Sequence, residues 1–123
     1  MNVPLTDSLL VALSNLVDDA QSETRRPSHS DLKFTFEKSN LLEGDPLGQG
    51  QNVGKTKRVM STLSWAMEHA PEAGARFVPM FISMIRGHGG FRETSQNYVG
   101  RHAFENAVIT FGNYQVDVAR AIR

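Results

Sequence analysis

The sequence predicts an all-α fold: a compact bundle of four to five helices with two glycine-rich surface loops, formed by one domain over residues 1–123. Three observations carry that prediction. Apolar residues recur at three- and four-residue spacing along most of the chain, and glycine and proline gather in a few short breaks. The one segment near the end that alternates like a strand has no second strand to pair with. A chain of 123 residues buries roughly 65 to 70% of the surface its unfolded form exposes, enough to fold without covalent staples.

The elements follow in order. Thr6 or Asp7 caps a first helix whose apolar positions, Leu9, Leu10, Leu13, Leu16, Val17 and Ala20, run through Gln21. Its acidic end, Asp18-Asp19, opposes the helix dipole, so Arg25 or Arg26 is expected nearby. Ser28-His-Ser-Asp31 then forms a near capping box, with Asp in place of the usual Glu or Gln, and starts a short helix to about Leu41. The alternation Leu32-Lys-Phe34-Thr-Phe36 also fits a strand, and residues 32–36 stay open between the two. Glu43-Gly-Asp-Pro-Leu-Gly-Gln-Gly50 is a loop.

From Val53 an amphipathic helix closes near His69-Ala70, just before Pro71. The next helix uses Pro71 at its first position and carries Phe77, Val78, Met80, Phe81, Ile82, Met84 and Ile85, apolar almost all round and therefore central. Pro79 inside it is expected to kink or break it. After a glycine-rich loop over residues 86–93, Thr94 or Ser95 starts a last helix that ends at Gly112-Asn113. Residues 114–123 are ambiguous between helix and strand.

Composition excludes several classes of protein. The chain has no cysteine, hence no disulfide framework and no thiolate zinc site. No apolar run reaches the ~20 residues a bilayer demands, and Met1-Asn-Val-Pro-Leu-Thr-Asp7 lacks the pattern of a secretion signal. A cytoplasmic location without membrane contact is therefore expected. Thirteen basic and thirteen acidic side chains balance, so nucleic-acid binding requires a local patch.

Two segments offer one. Residues 86–100 combine Arg86, Gly87, His88, Gly89, Gly90 and Arg92 with Asn97 and Tyr98; glycine lets backbone N–H groups approach a ligand, and arginine forks suit phosphate. Lys55, Lys57 and Arg58 follow the glycines at 48, 50 and 54, beside a helix start that favours anions. Gly54-Lys55-Thr56 imitates the end of a phosphate-binding P-loop, but Gln49 stands where that motif requires glycine. The competing reading of both segments is structural: a helix stop with a tight turn, and a solvated basic face. His29, His69, His88 and His102 show no metal-ligand spacing, so neither metal nor cofactor is expected. Histidine as a residue type can serve as general acid or base, so His88 is the candidate for a third hypothesis, an independent hydrolase.

Leu16-Val-Asp-Asp-Ala-Gln21, Pro27-Ser-His-Ser-Asp31, Glu43-Gly-Asp-Pro46, Gln49-Gly50, Val53-Gly-Lys55 with Lys57-Arg58, Ile85-Arg-Gly87 with Gly89-Gly-Phe-Arg92, and Asn97-Tyr-Val-Gly100 form an ordered series. In that series the chain resembles the N-terminal region of bacterial abortive infection family proteins, which act in defence against phage. The resemblance implies a C-terminal effector domain of the HEPN-like class in a longer protein, or else a naturally short relative. The family's suspected ribonuclease residues belong to that second domain, and Arg86-Gly-His88 does not match them in spacing. What the resemblance implies is a non-catalytic accessory module. Its leading expected role is binding a phosphate-bearing ligand, nucleic acid above all, through Lys55, Lys57, Arg58, Arg86, Arg92 and Arg101. The alternative is a protein-interaction or homo-oligomerisation module that uses a methionine stripe, Met60, Met67, Met80 and Met84.

Overall fold

A computed structural model describes residues 3–18 and 25–112. They form five α-helices and, among the described residues, no strand: α1 Asp7–Ser14, α2 His29–Lys38, α3 Lys55–His69, α4 Pro71–Gly87 and α5 Arg101–Gly112. Two 3-10 turns, Leu42–Gly44 and Pro46–Gln49, lie between α2 and α3. The all-α bundle expected from the periodicity is therefore the observed fold. Packing radiates from α3, which meets α1, α4 and both 3-10 turns, while α2 rests on α4 and α5 on α1. The core holds Leu9, Leu13, Phe36, Leu63, Phe77 and Phe81, all fully buried, with Phe36 stacked on Phe77 at 5.4 Å and Phe77 on Phe81 at 5.0 Å.

The Thr6 hydroxyl accepts the Leu9 N–H at 3.2 Å and starts α1. The helix stops at Ser14, short of the Gln21 that periodicity suggests. Side chains from elsewhere take the carbonyls that a longer helix would use: both Arg25 terminal nitrogens donate to Leu16 O at 3.3 Å, and Thr56 Oγ1 donates to Val17 O at 3.1 Å. Leu16 and Val17 are buried all the same, so the apolar spacing reported burial correctly and helix length incorrectly.

Helix α2 resolves the ambiguity at residues 32–36. Ser28 and Asp31 complete a reciprocal capping box at 3.0 and 2.8 Å, despite the shorter acid. At the other end Asn40, at φ 63°, turns the chain left-handed, with Asn40 N–H donating to Glu37 O and Leu41 N–H to Phe36 O. The chain then buries Leu41 and enters the two 3-10 turns.

Helix α4 runs unbroken through Pro79, so of the kink or break expected there the break does not occur. Proline at 79 removes the donor for the carbonyl of Ala75, and the Val3 N–H takes that place at 3.2 Å. The segment before α1 thus lies along α4, with Val3 buried and Leu5 against Gly74, where a Cβ would stand 2.5 Å from Leu5 Cδ1. One face of α4 is core; Met80, Ser83 and Met84 lie on the other, so the helix is less enclosed than its composition suggests.

The residue 86–93 segment is largely a helix stop. Gly89, at φ 81°, donates to Arg86 O at 2.9 Å and Gly90 to Ile85 O at 2.8 Å, the paired bonds of a Schellman motif. Gly89, Gly90 and Phe91 are buried, and Val99 N–H returns to Gly90 O at 2.8 Å. The last helix starts at Arg101 instead of Thr94 or Ser95. Ser95 is spent on a turn in which its hydroxyl accepts the Asn97 N–H, and Gly100, at φ 100°, interrupts the chain before α5. The ambiguous stretch 114–123 lies outside the described residues.

Candidate functional site

The basic cluster expected at the start of α3 divides in two. Lys55 is 1% exposed, and its ammonium donates to Asp18 Oδ2 at 3.1 Å, Arg25 O at 2.8 Å and Pro27 O at 2.9 Å. Those bonds tie α3 to the segment before α2. Arg58 is 2% exposed and grips Asp45 through two bonds, Nε to Oδ1 at 3.0 Å and Nη2 to Oδ2 at 2.7 Å. Its Nη1 also meets the His29 carbonyl and Nδ1, each at 2.9 Å. Both cations serve the interior, which corrects the expectation that they present themselves to a phosphate.

Lys57, Arg86, Arg92 and Arg101 are exposed, but they stand on three helices and a loop. Arg101 pairs with Glu105 on its own helix at 2.9 Å, which raises the arginine pKa. Gly87 closes α4, and Gly89 and Gly90 are consumed by the Schellman turn, so no glycine-lined anion cradle forms there. Asn97 is a staple: its amide donates to His88 O at 3.0 Å and its carbonyl accepts the Arg26 N–H at 2.9 Å. Tyr98 is half-buried, and its N–H closes a turn onto Ser95 O.

Two features that spacing does not reveal come together between α2 and α4. A groove of about 660 Å³ opens there, walled by Phe34, Pro79, Met80 and Met84. Phe34 is 61% exposed, although its neighbours in sequence, Leu32 and Phe36, are fully buried. Asp31 and His88 close one end, with His88 Nε2 3.6 Å from Asp31 Oδ2. Arg26 clamps the same carboxylate at 2.8 and 3.1 Å, and Ser28 N–H adds a bond at 2.8 Å. Burial alone raises the Asp31 pKa; the bonds from Arg26 and Ser28 and the Arg26 charge outweigh it and hold the group down at about 2.

Ser83 also lines this groove, which places a serine, a histidine and an aspartate in one cleft. The arrangement is not a nucleophile-activating relay. His88, the C-cap of α4, lies five positions after Ser83, which puts the two about 140° apart around the helix axis. Among the described residues they share no hydrogen bond, and the Asp31 carboxylate is engaged by Arg26. Among the described residues no group of three His, Asp or Glu side chains could hold a metal ion, and no helix is long and apolar enough to cross a membrane.

Compared with family models, curated proteins and solved structures, the chain matches none.

Proposed function

We propose that the chain is a non-catalytic interaction module that docks a partner protein in the α2–α4 groove, as an accessory part of a phage-defence protein of the kind it resembles. The observation that carries this reading is the exposed Phe34 ring facing a wall of Met80 and Met84. A large aromatic at the mouth of a methionine-lined cleft is an adaptable apolar seat, the form that receives one face of an amphipathic helix. Charge selects the occupant. Among the described residues the one acid in the lining, Asp31, is already paired with Arg26, while Lys38 stands 5.4 Å over the Phe34 ring and Arg76 sits one turn before Met80. The partner segment is therefore apolar on one face and acidic at its flanks.

Calorimetric titration with a synthetic leucine–glutamate amphipathic peptide tests the reading. Saturable binding is expected, lost on Phe34→Asp and weakened at least tenfold when lysine replaces glutamate in the peptide. Equal binding of the two peptides, or no effect of Phe34→Asp, contradicts it. Nucleic-acid binding, the leading expectation from sequence, rests on Lys57, Arg86, Arg92 and Arg101 once Lys55 and Arg58 are committed to the interior. Salt-sensitive RNA binding that Lys57→Glu and Arg92→Glu abolish would favour it over docking.

A further inference from the structure

We propose that a second cleft, on the face of α2 opposite the groove, binds the phosphate group of a small organic phosphate. The cleft has a volume of about 550 Å³, and Arg58 and Asp45 line it as a buried ion pair. His29, Ser30 and Lys33 border it from α2, and Leu42 and Leu47 supply apolar surface. That volume suits a ligand up to the size of a mononucleotide.

The charge balance within the cleft sets the sign of the ligand. Among the described residues of its lining Asp45 is the only acid, and that carboxylate is occupied by the Arg58 fork and by the Leu47 N–H at 3.1 Å. Lys33 is exposed at the border, so beside the neutralised Arg58–Asp45 pair one further cation faces the cleft, and the site attracts negative charge. Donor geometry sets the class. With the Arg58 fork locked on Asp45, no planar pair of N–H groups remains to match a carboxylate. The groups left are the Lys33 ammonium, a mobile point charge, and the Ser30 hydroxyl, which suit the several oxygens of a tetrahedral phosphate. Leu42, 39% exposed, offers the organic portion an apolar wall. The rigid Arg58–Asp45 pair holds α3 against the second 3-10 turn and fixes the position of that wall.

The test is an NMR titration of the 123-residue chain with phenyl phosphate, inorganic phosphate, phenol and benzoate as probes. Phenyl phosphate is expected to saturate with a Kd of about 1 mM or below and to shift the Ser30, Lys33 and Gly48 amides; phenol leaves them unmoved. Inorganic phosphate moves the same amides with weaker affinity. Lys33→Glu weakens phenyl phosphate at least tenfold, Lys33→Gln at least threefold, and both retain the wild-type circular dichroism because Lys33 is exposed. Benzoate binding as tightly as phenyl phosphate, shifts confined to other residues, or unchanged affinity in both Lys33 variants overturns the proposal.

Discussion

Lys55 and Arg58 show what a local pattern cannot reveal. In sequence they belong to a run of cations with no intervening acid, which reads as a solvated face or a phosphate site. Their partners, Asp18 and Asp45, lie 37 and 13 residues away, and no helical spacing reports such distant pairing. One local sign was present: Arg58 shares a helical stripe with the buried Thr62 and Ala66. An ion pair this deep is costly to break because the remaining charge stays buried. Asp45→Ala is expected to destabilise the fold by about 3–5 kcal/mol in urea unfolding, and the double variant Asp45→Leu with Arg58→Met by much less. Equal losses would show that packing outweighs charge there. Asp31 supplies a pH signature. Its folded pKa of about 2 lies below the ordinary 3.8, so its stabilisation is complete above about pH 4 and lost as pH falls toward 2. The side chain is partly solvated, so the gap between wild type and Asp31→Asn is expected to narrow by about 1 kcal/mol over that range. A gap independent of pH would contradict the assignment.

At the scale of elements, type was more legible than extent. Ser28 and Asp31 announced α2, Pro71 opened α4, and the glycines after Ile85 closed it, each for a reason contained within a few residues. The early end of α1 depends on Arg25 and Thr56, and the late start of α5 on a turn about Ser95, which are tertiary or loop effects. Pro79 is the instructive case, because the sequence rule about its missing donor holds while the helix stays intact. Val3 supplies the bond from outside, at a position no helical pattern includes. Pro79→Ala is expected to restore the intrahelical bond to Ala75, leave thermal stability within about 1 kcal/mol, and speed hydrogen exchange at Val3. Unchanged exchange at Val3 would mean that the segment before α1 is held by Leu5 and the core alone.

For the whole molecule, the bundle was legible and the groove was not. Helical periodicity found the core faces, and glycine and proline found the breaks, but the groove arises only when α2 is laid across α4. Phe34 read as one apolar position of the Leu32-Lys-Phe34-Thr-Phe36 alternation; the rotation of α2 that buries Leu32 and Phe36 turns it outward. Four of the six cations first assigned to a ligand remain at the surface, distributed over separate elements, and the continuous feature left is apolar. Docking at the α2–α4 groove is best checked by paired NMR titrations of the same chain, one with the leucine–glutamate peptide and one with single-stranded RNA. The peptide is expected to shift the Phe34, Ser83 and Met84 amides, and RNA is expected to leave them unmoved. RNA shifts centred on Lys57 and Arg92, with the groove unmoved by the peptide, would contradict it.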